Sequence, residues 1–283
     1  MKASAFSSAS PGRANEDFAT WDDQVAVVVD GAGMPDSLAP PCIHGVSWFA
    51  RALGAALRTA ASGSGTLRDA LAEAIVHTAG SHASTCSVHD PLSPSATVAA
   101  LRLRHGSVEW LVLGDCTLIL DRGGFVQAIS DTRLATVAQH ERAAMHSAPP
   151  GSNERRRLHA RLVQAERALR NQPGGYWVAA ADPQAAEAAL SGSAPARDVA
   201  RAALMTDGAA RYETTLALAD WPTCLDILER EGPDSLIRRV REAEFSDSAL
   251  TRWPRSKPHD DATVVYVPLS SFEEEATPGS DTA

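Results

Sequence analysis

The sequence predicts an α+β protein built on antiparallel sheets, and three observations lead there. Strand-like and helix-like stretches come in blocks rather than in strict alternation, which argues against a parallel α/β fold. Two turns carrying glycine, His105-Gly106 and Gly123-Gly124, separate apolar stretches as hairpins do. The run Val25-Ala26-Val27-Val28-Val29 is short and β-branched, which suits a buried strand better than a helix.

That run ends at Asp30, and Gly31 and Gly33 follow at once. A carboxylate at the end of a core strand is held rigidly, and flanking glycines let a ligand approach closely. The pattern recurs. Ala202-Ala203-Leu204-Met205-Thr206 runs into Asp207-Gly208, and His259-Asp260-Asp261 opens onto 262–267. Glu16-Asp17 lies just upstream of the first strand. Hard oxygen ligands gathered at strand ends suit Mg²⁺ or Mn²⁺. No C-x-x-C or H-E-x-x-H motif competes as a transition-metal site. The four cysteines, Cys42, Cys86, Cys116 and Cys224, are widely spaced without metal-ligand spacing; reduced thiols are expected, in preference to a Cys42–Cys86 disulfide.

Taken in order, residues 1–9 are small and polar and are expected to be loosely held. Strand 25–29 follows. Pro35, Pro40 and Pro41 exclude a helix in the next stretch. Val46, Phe49, Ala50, Leu53, Ala56 and Leu57 recur at three and four, predicting an amphipathic helix over Val46–Ala61. Ser62-Gly63-Ser64-Gly65 breaks it. Thr66-Leu67-Arg68-Asp69 resembles a capping box and opens a second helix to about Thr85, with His77 and His82 as surface or packing residues. Strands are expected over 96–104, 108–113 and 117–120, forming an antiparallel meander with Asp115 at a hinge. A helix over 131–146 and a basic helix over 153–170 come next, the latter carrying Arg155, Arg156, Arg157, Arg161, Arg167 and Arg170. A short strand at 176–179, segments 185–191 and 198–206, and helices over 209–218, 221–231 and 233–243 complete the pattern before the last strand. The tail 270–283 is acidic and expected to be disordered.

In these segments the chain resembles the metal-dependent protein phosphatases of type 2C, in their bacterial form. The matching motifs are Arg13-Ala14-Asn15-Glu16-Asp17, Val28-Val29-Asp30-Gly31-Ala32-Gly33, Leu113-Gly114-Asp115, Met205-Thr206-Asp207-Gly208 and Asp260-Asp261-Ala262-Thr263-Val264, in the family's order. The resemblance implies one domain over 10–269. It implies a four-layer sandwich, with two antiparallel sheets face to face and helices on both outer sides. It also implies a metal-dependent serine/threonine phosphatase using two Mn²⁺ or Mg²⁺ ions. Asp30 would bridge them, with the Gly31 carbonyl on one, Asp207 and Asp260 on the other, Asp17 or Glu16 beside it completing the shell partly through water, and a weaker third ion near Asp115. Asp260 occupies the family's ligand place, and Asp261 a position usually held by Asn. A metal-bound water would attack phosphorus directly. Arg13 would bind the substrate phosphate through its planar fork.

Three departures stand out. Met34 replaces a usual glycine, Cys116 a usual serine, and Ala32 the histidine that serves some members as general acid. His44 is the nearest imidazole and could replace that acid, or serve as a helix-start or packing residue. The departures keep open a catalytically weakened binding or regulatory protein, and a phosphatase of small phosphorylated metabolites is a further alternative. Phosphorylated protein is the expected partner. The basic helix could steer it, or read simply as a solvated face partly neutralised by Glu154 and Glu166.

The chain of 283 residues is 44% hydrophobic and 22% charged, with a formal net charge of -9. The acidic balance argues against a nucleic-acid partner. No apolar run approaches the ~20 residues of a membrane span, and the N-terminus lacks a signal-peptide core. A cytoplasmic location is expected; the oligomeric state is not readable.

Overall fold

The computed structural model describes residues 1–33 and 41–269; Met34, the prolines at 35 and 40, and the acidic tail lie outside the described residues. Ten strands form two antiparallel five-stranded sheets. The first contains β1 (Ser4–Ser8), β10 (Ala262–Pro268), β9 (Arg201–Met205), β6 (Thr117–Arg122) and β7 (Phe125–Ile129), in that order. The second contains β2 (Asp17–Trp21), β3 (Val25–Ala32), β4 (Ser95–Arg104), β5 (Ser107–Leu113) and β8 (Leu190–Pro195). Helices α1 (Val46–Ala61) and α2 (Leu67–His82) cover the second sheet; α6 (Asp207–Thr214), α7 (Trp221–Glu231) and α8 (Pro233–Ser246) cover the first. The four-layer α+β sandwich is as expected.

The side-chain period of two explains why the central strands read as unbroken apolar runs. On β3, Val25, Val27 and Val29 face α1 and α2, while Ala26 and Val28 face the other sheet. On β9, Ala203 and Met205 face the helices, while Ala202 and Leu204 face inward. Each such strand is buried on both faces, so alternation of polar and apolar residues disappears.

The second helix begins as the motif predicted. Thr66 caps it, with Thr66 Oγ1 accepting from the Asp69 amide at 3.1 Å and the Asp69 carboxylate accepting from the Thr66 amide at 2.9 Å.

Other expectations change. Residues 4–8, expected to be loosely held, form β1, whose partners are residues 262–266 of β10. The expected meander is split: β4–β5 and β6–β7 are hairpins of different sheets, and Gly114-Asp115 makes the crossing between sheets. The expected helix over 131–146 is two pieces, α3 (Arg133–Thr136) and α4 (Gln139–Ser147). Val137 breaks it by adopting extended backbone and packing with Tyr176 and Val178, and Ala138 follows with φ 50°. The strand expected at 176–179 does not form. The Asn171 side-chain amide takes the place of a ladder, donating to the Val178 carbonyl at 3.0 Å and accepting from its amide at 2.8 Å. The basic helix is α5 (Asn153–Ala168).

Candidate metal centre

The acids singled out in the sequence meet at one end of the sandwich. Asp17 opens β2 and pairs directly with Asp30 near the end of β3. Asp207 starts α6 immediately after β9, and Asp260 lies just before β10, which pairs with β9. Asp115 sits in the crossing between sheets.

The electrostatics report how closely they gather. Burial, then the charges of Asp17, Asp207, Asp115 and Asp260, push the Asp30 carboxyl well above its ordinary value. Burial likewise raises Asp17 to about 8, against hydrogen bonds from Thr263 and Thr206 that lower it. Burial and the Asp207 charge raise Asp115 to about 7. Asp207 is raised by burial and by Asp260. A set of half-buried and buried carboxylates that repel one another needs positive charge to ionise together. Oxygen donors in this number suit hard divalent cations. The donor chemistry of these residues fits the class of ion the resemblance implies.

Local structure fixes each carboxylate. Thr206 Oγ1, wholly buried, donates to Asp17 Oδ2 at 2.8 Å and accepts from the Thr263 amide at 3.0 Å, tying the end of one sheet to the start of the other. Gly31 is enforced by packing: a Cβ there would lie 2.5 Å from the Glu16 carbonyl oxygen and 2.6 Å from Val46 Cγ1. Gly208 is enforced likewise, since a Cβ would overlap the Asp261 carbonyl oxygen. Asp261 itself is turned to structure. Its two carboxylate oxygens accept from the Ser10 and Glu16 amides, each at 2.6 Å, and so fix the segment between Arg13 and Asp17.

Sequence reasoning missed the cations here. Arg211 Nη2 donates to Asp260 Oδ2 at 3.0 Å, and its Nη1 to the wholly buried Glu244 at 2.6 Å. Lys257 Nζ donates to Asp260 Oδ1 at 3.0 Å, and its ammonium is further stabilised by the charges of Asp260, Asp207 and Asp30. Spacing alone, with Arg211 one helical turn after Asp207 and Lys257 three residues before Asp260, does not show that both meet on Asp260. Arg13 is exposed, and its charge reaches Glu16.

The basic stretch divides into two groups, and α5 ends at Ala168, two residues before Arg170. Arg167 Nη2 donates to the Gly33 carbonyl at 2.6 Å, Arg170 to Ser93, and the buried Arg155 to the Ala148 and Arg255 carbonyls. These three are anchors, one of them on the turn beside Asp30. Arg156, Arg157 and Arg161 are exposed. His44, the candidate acid, turns Nδ1 towards the sulfurs of Cys42 at 3.9 Å and Cys86 at 3.3 Å. Both cysteines are free thiols.

A cluster of carboxylates at the end of a helix-flanked double sheet defines a class, and sequence comparison agrees with it. The chain belongs to the protein phosphatase 2C family, whose model matches residues 7–243. No curated protein matches it. Among solved structures it is similar to the Mycobacterium tuberculosis serine/threonine phosphatase PstP/Ppp. The identity is 17%, the TM-score 0.57, and 95% of this chain and 98% of that one are covered. It is also similar to the Mycobacterium smegmatis phosphatase MsPP in complex with cacodylate (17% identity, TM-score 0.55, 95% and 98% covered). A PstP catalytic domain in complex with two manganese ions is 16% identical, with a TM-score of 0.55 and 94% and 97% covered. Among the described residues no helix is long and apolar enough to cross a membrane.

Proposed function

We propose that this chain is a metal-dependent phosphomonoester hydrolase acting on phosphoserine and phosphothreonine in proteins. The observation that carries the reading is the convergence of Asp17, Asp30, Asp115, Asp207 and Asp260, held close enough that their charges help raise the pKa values of Asp17, Asp30, Asp115 and Asp207. The two manganese ions of the PstP relative support a pair of Mn²⁺ or Mg²⁺ ions here. When bound, such ions supply a strong nucleophile at neutral pH and neutralise charge at phosphorus.

The protein's own groups do the rest. Asp30, the Gly31 carbonyl, Asp17, Asp207 and Asp260 would hold the ions. Asp115 offers a further, weaker place. Thr206 and Asp261 orient this shell from behind, so its geometry is set before substrate arrives. Arg13 holds the phosphate through its guanidinium fork. Lys257 places a second positive charge over Asp260 and Asp207, where it stabilises negative charge on an entering phosphoryl group.

One observation favours a second reading. Asp260 is engaged by both Arg211 and Lys257, so a metal must compete with two cations for it. A phosphatase-fold binding or regulatory protein with weakened catalysis would show that competition as low metal affinity. The test is hydrolysis of an aryl phosphate and of a phosphothreonine peptide with Mn²⁺, with Mg²⁺ and with chelator. Turnover of both substrates, abolished by chelator, supports the protein phosphatase. Turnover of small phosphate esters alone points to metabolites. No turnover at saturating metal leaves the binding protein.

A further inference from the structure

We propose that Cys42, His44, His82 and Cys86 form a structural Zn²⁺ site, separate from the carboxylate centre. Among the described residues these four make the one group of three or more such side chains whose ligand atoms all lie within 4.8 Å of one another. Cys42 Sγ stands 3.9 Å from His44 Nδ1 and 3.6 Å from His82 Nδ1, and His44 Nδ1 stands 3.3 Å from Cys86 Sγ. With Zn–S of about 2.3 Å and Zn–N of about 2.0 Å, a tetrahedron has S–N edges of about 3.5 Å. The three distances bracket that value.

The donor set is also specific. Two sulfurs and two imidazole nitrogens are soft to borderline ligands, which select Zn²⁺ over the Mg²⁺ and Mn²⁺ suited to the acids. Four protein ligands leave no open position, the mark of a structural rather than a catalytic zinc.

The backbone brings the four together for identifiable reasons. His82 ends α2, and the Cys86 amide donates to the His82 carbonyl at 3.0 Å, so one further turn points both side chains the same way. The Ser87 amide donates to the Pro41 carbonyl at 3.3 Å, drawing this turn against the segment that carries Cys42 and His44. Trp48 of α1 packs on both rings, 4.4 Å from the His44 ring centre and 4.9 Å from that of His82. Cys42 and His82 are buried. The indole therefore walls one side of the cluster and limits the rotation of both imidazoles. A disulfide between Cys42 and Cys86 would account for the thiols, but not for two ring nitrogens aimed at the same point.

The site would clamp the start of α1 to the end of α2. Val46, the first residue of α1, is the side chain packed against Gly31 and Gly33. Zinc would then brace the turn that carries Asp30 and the Gly31 carbonyl without joining the reaction. Both thiols bind as thiolates, their protons passing to solvent.

The test uses the full chain purified under reductant from zinc-supplied cells. Elemental analysis should find about one zinc per chain. It should find the same in Asp30→Asn, and none in Cys42→Ser/Cys86→Ser. Should that double variant fail to fold, Co²⁺ titration of the parent replaces it, because thiolate-to-cobalt charge-transfer absorption reports sulfur ligation and is not produced by carboxylates. Chelation of the parent should lower its thermal midpoint beyond any loss from removing Mn²⁺. Zinc retained by the folded double variant would overturn the proposal. So would a parent that takes up neither zinc nor cobalt, or one whose mass without reductant is two hydrogens lighter and which binds no metal.

Discussion

Asp30 faces the like charges of Asp17, Asp207, Asp115 and Asp260, all of which raise its pKa. Asp30→Asn removes one charge and keeps the shape. Turnover with Mn²⁺ should fall by several orders of magnitude, while the metal-free variant melts at a higher temperature than the metal-free parent. A merely structural role would give the opposite sign for melting, which makes the pair of measurements decisive. Arg13→Ala should raise KM for a phosphopeptide more than it lowers kcat, and Arg13→Lys should rescue poorly because an ammonium cannot bind bidentately; a Lys variant equal to the parent would return Arg13 to a structural role. The acids were legible because each stands beside a glycine, opens a strand or lies just before one. Arg211, Lys257 and the thiol–imidazole cluster were not. Their partners are set by how α6, the approach to β10, α1 and α2 come together, and no local pattern encodes that. Asp261 shows the limit at finer grain: the sequence separates it from Asp260 only by resemblance, whereas the structure gives it two backbone amides to hold.

Elements were readable where one physical cause dominated. Helix α1 has its predicted bounds because its apolar stripe runs up to the Ser62-Gly63-Ser64-Gly65 break, and α7 because Asp220 caps its start by accepting from the Thr223 amide and Gly232 ends it. The 131–146 region failed because burying Val137 in a small cluster outweighs helix continuity. The β5-to-β6 connection failed because a glycine before an acid reads as a tight turn in either topology, and only packing decides that the chain changes sheets. Gly208 tests how far element junctions are over-determined. It seats the first turn of α6 against the Asp261 carbonyl. Gly208→Ala should destabilise by about 3 kcal/mol, as overpacking against backbone does, and lower the melting midpoint by roughly 6–12 °C for a chain of this size. It should weaken Mn²⁺ binding as well, since Asp207 and Asp260 both border that contact. A change smaller than 1 °C would mean that the junction relaxes freely.

At the scale of the whole molecule, the two sheets are closed at one end by groups that resist being charged together, and this links folding to pH and to metal. Asp17, with an ordinary value of 3.8, is raised to about 8 by burial, and Asp115 to about 7. Between those limits the folded, metal-free chain holds protons that the unfolded chain has released. Stability from these groups is therefore complete below about pH 4 and is lost as pH rises through 7 to 8. Other carboxylates act in the reverse sense at low pH, among them Asp247, lowered by backbone amides and Arg255 against the opposing effect of burial. The window that reads the site is pH 6 to 8, where the raised carboxyls of Asp17, Asp30 and Asp115 outweigh the one thiol that acts in the reverse sense there, Cys86, brought down to about 6 by hydrogen bonds with His82 and Thr85 against the opposing effect of burial. Across it, the melting midpoint of protein dialysed free of Mn²⁺ should fall. With saturating Mn²⁺ the fall should flatten or reverse, because ions take the place of the protons. Calorimetry in buffers of different ionisation enthalpy should show proton release on Mn²⁺ binding at pH 6.5, with less at pH 8.5 and tighter binding there. Dialysis without strong chelator leaves the thiol–imidazole cluster undisturbed, so the difference that Mn²⁺ makes belongs to the acids. A midpoint that rises from pH 6 to 8 without metal, or Mn²⁺ binding that releases no protons at pH 6.5, would mean that these carboxylates are already ionised and the site is more open to solvent than its geometry implies.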